Sequence, residues 1–469
     1  MRYVFSLALL TSSFAQAGSI SAPGMLGGPD SGAATPNPAA VYFNPAAIAA
    51  TEGVQVMIDG QLAFIRVDAT TTRNDGIDPN TGEPYTVAQA RVQVPAAIIG
   101  ATWKPLERVA FGFALTDAFV GGGDYTAGEP DLEAPFESHQ RYAGVVSKLI
   151  TLHAIPAVGI TVMDGLHIGG SYKVVLDSFY AMQASDPLGN EGSALIKGDD
   201  AYVNDTLLTI DASGMHTGWT VGAYFDRIPM ARVGVSYTRN GVFDTAGTGS
   251  VSAPDMLGGG SPDALVTFTA PLPDVLHAWV NSDINERLTV GAGVEWQRWG
   301  ACCGGPDGDI VIGVKSVDGD ALGADSEDGL SIEIATTQYS PRRLVDSMNF
   351  GMNAGYQVND ATWLGVRVQR NGSAVPDYAV SATNIDYANV GFMVAARRQL
   401  GDHVELGLAY SKFFLEEREI TNSAWDVRDP SSPDYVDERF SPSLPYKAGT
   451  NGTYSGKVDV VGVRLGMAF

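Results

Sequence analysis

Apolar and polar positions alternate along most of the chain after residue 53. In the stretch 54–64, Val54, Val56, Ile58, Leu62 and Phe64 share one face, and Gln55, Met57, Asp59 and Gln61 share the other. Leu166, Ile168, Tyr172, Val174 and Leu176 oppose His167, Gly169, Ser171 and Lys173 in the same way. Val233, Val235 and Tyr237 oppose Arg232, Gly234 and Ser236. Leu288, Val290, Ala292, Val294 and Trp296 oppose Thr289, Gly291, Gly293 and Glu295. Val404, Leu406, Leu408 and Tyr410 oppose His403, Glu405, Gly407 and Ser411. A period of two means strands whose two faces meet different surroundings.

The connections are as regular as the strands. Six are tight, at 104–108, 163–165, 227–229, 282–286, 359–361 and 401–403. The seven between them are long, at about 69–90, 120–142, 181–204, 241–262, 301–343, 371–386 and 419–453. Together these thirteen connections join fourteen strands. Short turns on one side and long loops on the other are how an outer-membrane barrel is built, and fourteen is an allowed even number. A soluble β-sandwich has no reason to sort its loops by length. The predicted fold class is therefore all-β, a 14-stranded antiparallel transmembrane β-barrel. Its lumen should receive Asp59, Lys173, Arg232, Glu295, Arg367, Glu405 and Arg464, because a basic side chain facing lipid at the midplane costs about 2–4 kcal/mol. Tyr42, Tyr142, Trp219, Trp279, Trp296, Trp363 and Tyr410 fall near strand ends, where an interfacial girdle is expected.

The chain ends fit the same reading. Residues 1–17 have an early cation, Arg2, an apolar run Val4–Leu10, and the small-x-small site Ala15-Gln16-Ala17. This is the pattern of a secretory signal peptide. At the other end Val461, Val463, Leu465, Met467 and Phe469 alternate with smaller or polar residues. A last strand ending on an aromatic, here Phe469, looks like the signal that bacterial outer-membrane proteins present to the barrel assembly machinery.

Composition narrows the function. No stretch after the signal approaches the roughly 18 apolar residues of a membrane helix. The chain carries 29 Lys and Arg against 53 Asp and Glu, so it repels nucleic acid. Cys302 and Cys303 are adjacent and staple no distant segments, so they form no disulfide framework. The acidic stretch 307–328 matches no EF-hand spacing and reads as a solvated loop. No metal or cofactor site and no catalytic constellation is expected; His167 and His403, read as inward-facing, have no Ser or Asp at catalytic spacing.

Residues 18–52 do not alternate. They are rich in Gly, Ala and Pro and contain Asn37-Pro38-Ala39-Ala40 and Asn44-Pro45-Ala46-Ala47. Each Asn-Pro marks a turn or a helix start. A compact segment of this kind before a barrel is either a tail or a plug, and Ile20, Met25, Leu26, Val41, Phe43 and Ile48 favour the plug. The division expected is thus 1–17 signal peptide, 18–52 hatch and 53–469 barrel.

The segment Gly27–Ala50, above all Val41-Tyr42-Phe43-Asn44-Pro45-Ala46-Ala47-Ile48-Ala49, resembles the hatch of the long-chain fatty acid outer-membrane transporter family (FadL/TodX type, OMPP1). Similarity continues through Leu152–Gly159, Phe268–Pro273 with Glu295–Trp299, Arg370–Asp377 and Arg398–Phe414. The resemblance implies a monomeric barrel, plugged by its hatch, that admits fatty acids or aromatic and aliphatic hydrocarbons across the outer membrane. It also implies a surface groove between long loops, and a side exit into the membrane where the third strand is kinked. Phe43, Asn44, Pro45 and Ala46 are the gating candidates, and Gly112 is the candidate for the opening in the third strand. Met182, Leu188, Leu195, Met256 and Leu257 are the groove candidates. A carboxylate headgroup needs a cation, for which Lys173, Arg232 and Arg66 are the candidates. The partners expected are a hydrophobic small molecule, outer-membrane lipid and lipopolysaccharide. A general porin remains the main rival, since it needs no apolar hatch.

Overall fold

The structure is a computed structural model that describes residues 28–71, 88–124, 146–185, 206–252, 263–305, 308, 310–317, 335–340, 342–380, 385–422 and 452–469. The expected signal peptide (1–17), residues 18–27 of the expected hatch, Tyr142, Leu188, Leu195, Met256, Leu257 and most of the acidic stretch 307–328 lie outside the described residues.

One antiparallel sheet closes on itself. Its first segments are β1 (Val54–Thr71), β2 (Ala88–Leu106), β3 (Val109–Asp124), β4 (Val146–Met163), β5 (Leu166–Ser185), β6 (Thr206–Ile228) and β7 (Ala231–Arg239). Then come β8 (Val242–Ser252), β9 (Asp263–Pro271), β10 (Val275–Asp283), β11 (Leu288–Gln297), β12 (Ile310–Ser316) and β13 (Ala335–Ser340). The last are β14 (Ser347–Asn359), β15 (Thr362–Asn371), β16 (Asn389–Leu400), β17 (Val404–Leu415), β18 (Arg418–Ile420) and β19 (Gly452–Ala468). Fourteen strands form the closed wall, in the order β1 to β7, β10, β11, β14 to β17 and β19. Closure is made by β19 on β1, where Gln55 pairs with Ala468 and Thr71 with Gly452. Closure pairs the first strand with the last, the condition for crossing a bilayer with strands.

The parity read from the chain holds in the wall. Ile58, Phe64, Ile168, Leu176, Val235 and Leu408 are exposed to the lipid side, whereas Met57, Asp59, Gln61, His167, Ser171 and Lys173 are buried within. Three expectations need correction. His403 stands in the 401–403 turn rather than in the lumen, with its Nδ1 2.8 Å from the Ala468 carbonyl and its ring stacked on Phe469. Trp279 and Trp363 face inward, against Gly293 and Gly365, and not into an interfacial girdle. Tyr42 belongs to the hatch.

The stretch 241–262 is not simply a loop. The wall strand β7 bends at Asn240-Gly241, where Gly241 has φ 84°, and continues as β8. Its partner bends at Leu272-Pro273-Asp274 between β9 and β10. Proline cannot donate to the ladder, so a break there is what the chain allows. The upper halves pair in the order β6–β8–β9–β12–β13 and leave the wall as a curved extension on the long-loop side. Cys302 and Cys303 form a disulfide within the short helix Trp299–Cys303 that leads into it.

Candidate functional site

The lumen is filled from the short-turn side by residues 28–52. A short helix, Ala40–Phe43, is followed by a 3-10 helix, Pro45–Ala50, and both are buried. The expected gating segment Phe43-Asn44-Pro45-Ala46 sits at their junction. Asn44 caps the second helix by accepting from Ala46 N at 3.1 Å. Its amide donates to the carbonyls of Ala33 (2.8 Å) and Ala223 (3.0 Å). Ser236 Oγ donates to the Phe43 carbonyl at 2.6 Å, and Lys104 Nζ to that of Ala49 at 2.7 Å. The buried Asn44 side chain is thus paired at both its oxygen and its nitrogen, as its burial requires.

Six consecutive wall strands, β2 to β7, each present a glycine to this segment: Gly100, Gly112, Gly159, Gly169, Gly222 and Gly234. A Cβ at Gly234 would lie 1.8 Å from the Ala33 carbonyl oxygen, and one at Gly222 would lie 2.0 Å from Asn44 Oδ1. The wall is therefore cut to fit the hatch backbone. Gly112, the candidate for a kink, is one of these seats: it pairs regularly with Thr102 and Ala157 and meets Val41 and Ile48.

The irregularity in β3 lies farther up. The β2–β3 ladder ends at Ile98–Thr116, and the β3–β4 register shifts between Thr116 and Phe119. Asp117 Oδ1 accepts the backbone N–H of Ala97 at 2.5 Å, replacing a ladder bond. Beyond it, 88–97 of β2 and 119–124 of β3 share no ladder among the described residues.

The leading residues of the hatch are held differently, by charge. Arg397 pairs with Asp30 at 2.6 Å, and Arg367 donates to the Ser31 carbonyl at 2.9 Å. Arg397 lies 3.5 Å over the Trp363 ring and Arg367 4.7 Å over Trp279, so each guanidinium is aimed by an inward tryptophan. Burial works against ionising Asp30, but Arg397 and Arg464 overcome it and hold its carboxyl below the usual carboxylate value.

Above the hatch lies a polar zone. Lys173 is 1% exposed; its Nζ is 3.4 Å from Asn240 Oδ1 and 4.7 Å over the ring of Tyr42. No carboxylate pairs with it among the described residues. The other two headgroup candidates are already paired. Arg232 meets Asp283 at 2.7 Å near the 229–230 turn, and Arg66 meets Asp68 at 3.1 Å in an accessible position. Next to Lys173 on the inner face stand His153, Asp177 and His216, with His216 Nδ1 2.6 Å from Asp177 Oδ2. Sequence reasoning missed this pair because it is made across strands; the inward parity of β6 would have found His216.

An apolar vault closes the upper lumen. Leu149, Phe179, Leu208, Ile210, Phe243, Val266, Phe268 and Ile312 pack into one cluster from the wall and the curved extension. Phe179 and Phe268 ring centres are 4.3 Å apart, and Phe243 and Phe268 5.5 Å. Met182, the groove candidate that is described, is partly buried on β5 with its neighbours Ala181 and Gln183 buried.

The comparisons agree with this architecture. Residues 7–302, more than half of the chain, match the model of the outer membrane protein transport protein family (OMPP1/FadL/TodX). No curated protein sequence matches. Among solved structures, a FadL homologue of Pseudomonas aeruginosa aligns with TM-score 0.69 at 16% identity, covering 98% of this chain and 99% of that one. The CymD monoaromatic hydrocarbon channel aligns with TM-score 0.64 at 15% identity, covering 96% and 98%. The P. putida toluene transporter TodX aligns with TM-score 0.61 at 16% identity, covering 92% and 94%. At such identities the structural likeness speaks for the fold.

Proposed function

Because this chain belongs to the outer membrane protein transport protein family (OMPP1/FadL/TodX), whose barrels move hydrophobic compounds, we propose that its own substrates are long-chain fatty acids. The observation that carries this reading is Lys173, an ammonium buried in the lumen with an amide oxygen and a ring for company and no carboxylate. An unpaired buried charge is costly, and a carboxylate ligand supplies the missing partner. The vault above it suits the chain of the same molecule. Each buried CH₂ contributes about 0.8 kcal/mol, so sixteen give on the order of 12 kcal/mol before ordering costs. Head down at Lys173, the headgroup touches the same ammonium that lies over Tyr42 of the hatch, which links occupancy to the plug. Side release then passes through the unpaired stretch between β2 and β3, above Asp117.

A second reading is hydrocarbon uptake. It is favoured by the apolar vault itself and by the likeness to CymD, a monoaromatic hydrocarbon channel, and TodX, a toluene transporter. Displacement of a fluorescent long-chain fatty acid from the detergent-folded barrel separates the two. Oleate displacing at lower concentration than an alkylbenzene supports the acid reading, and the reverse order supports the hydrocarbon one. An open-channel conductance in the same sample, without saturable binding, supports a porin.

A further inference from the structure

Lys173 does not stand alone. Thr116 of β3 pairs with His153 of β4, which pairs with Val175 of β5, which pairs with His216 of β6. All four side chains are buried in the lumen, so they form one row across four strands. Lys173 is two residues below Val175 on the same face, opposite Gly218. Lys173 and His216 are thus diagonal neighbours on adjacent strands, a relation that places Cα atoms roughly 7–8 Å apart. Glycine at 214 and 218 lets the kinked β7–β8 segment close over this corner. It brings Asn240 against Lys173, and the Phe243 ring to 6.3 Å from that of His216.

His216 is held in a particular way. Its side chain is 5% exposed and that of Asp177 is fully buried, with Nδ1 donating to Asp177 Oδ2 at 2.6 Å. That bond fixes which ring nitrogen is engaged. The other, Nε2, is buried with no partner among the described residues. The charged or titratable groups around it are Lys173, Asp177 and His153; β8 offers only Phe243, since Asp244 is exposed on the opposite face. A nitrogen so placed recognises an acid in either proton arrangement. A neutral imidazole accepts from a carboxylic acid O–H, and an imidazolium donates to a carboxylate. The two states contain the same atoms and the same total charge, and differ only in where one proton sits. A hydrocarbon offers neither partner, and an ester has no proton to give and no full charge to receive.

We infer that His216, oriented by Asp177, is a second binding group for the polar end of the substrate, and that with Lys173 it selects free acids over esters and hydrocarbons of the same length. This rests on the fatty-acid reading above, and the experiment is chosen so that the two can fail separately. Competition by oleate and by methyl oleate for a fluorescent fatty acid is measured on the folded full-length barrel, wild type and variants. Wild type should prefer oleate. Lys173→Met should reduce the preference by about tenfold or more and leave the remainder carried by His216. His216→Gln should reduce it by about tenfold, the effect of one charge-assisted hydrogen bond, with methyl oleate affinity unchanged. Asp177→Asn should reduce it too, while a merely structural loss lowers both ligands together. Unchanged methyl oleate binding also certifies that each variant is folded. If His216→Gln leaves the preference intact, or weakens both ligands equally, the inference falls while the Lys173 reading stands. If wild type itself shows no preference, the fatty-acid reading falls and takes the inference with it.

Discussion

Residues 28–32 and 33–50 are both hatch and both lie inside the wall, yet they are retained by different forces. The second stretch is seated: its backbone lies where glycines of β2 to β7 leave no room for a Cβ, and Asn44 satisfies its polar groups. The first is tethered by Asp30 to Arg397 and by Ser31 to Arg367, on wall strands β16 and β15. A seat is steric and close-packed, so it resists displacement in every direction. A tether exchanges with water and with other ions when the local field changes. The leading residues should therefore let go more readily than Phe43-Asn44-Pro45-Ala46, which the seat holds.

Filling the seat should have the largest effect. Gly234→Val or Gly222→Leu places a side chain where hatch atoms already are, and overpacking costs about 1–3 kcal/mol or more. The expected outcome is a folded barrel whose hatch no longer closes it, seen as raised single-channel conductance. Retained closure would mean that the seat is looser than its geometry.

Cutting the tether should come next. Arg397→Ala leaves Asp30 without its ion-pair partner, a loss of roughly 1.5–3 kcal/mol for a charged hydrogen bond. The leading residues should become accessible, measured by labelling a cysteine introduced at Ser31, while conductance stays low. Equal effects of this change and Gly234→Val would erase the distinction between the halves.

Acid should do the same reversibly. Asp30 is depressed in the folded protein, so its contribution is present above the ordinary carboxylate value, about 3.8, and is lost as pH falls below it. Asp386, in the long-loop segment before β16, behaves in the opposite sense. Burial pushes its carboxyl up to about 7 despite hydrogen bonds from Ser373, Ala374 and Val375 and the nearby Arg418. Its contribution is present at low pH and lost as pH rises through about 7. Hydrogen exchange at pH 3.5, 5.5 and 8 should therefore loosen 28–32 at the acid end and 373–375 at the alkaline end. Loosening of both at the same end would contradict the assignment. The smallest effect is expected at Gly60, whose Cβ position meets nothing within 4 Å, so Gly60→Ala should leave melting unchanged.

The wall was legible because inward positions recur two residues apart along most of each strand, and because loop lengths alternate with it. Asn240-Gly241 and Pro273 carry the same chemistry as turns, so the chain alone does not reveal that strands bend there and run on. Trp279 and Trp363 look interfacial by position; only the glycines opposite them, Gly293 and Gly365, explain why they lie flat inside. Of the cations, parity placed Lys173 correctly in the lumen but could not tell it from Arg232, whose partner Asp283 sits on another strand. The Asp177–His216 pair was invisible for the same reason, since register decides which inward residues meet.

The most direct test of the account is titration of the folded barrel with a fluorescent long-chain fatty acid, in wild type and in Lys173→Met. Saturable binding to wild type that weakens about tenfold or more in the variant, in keeping with loss of a charge-assisted contact, is the predicted result. Equal affinity in the two proteins would contradict it, because the buried ammonium would then have no part in holding the substrate.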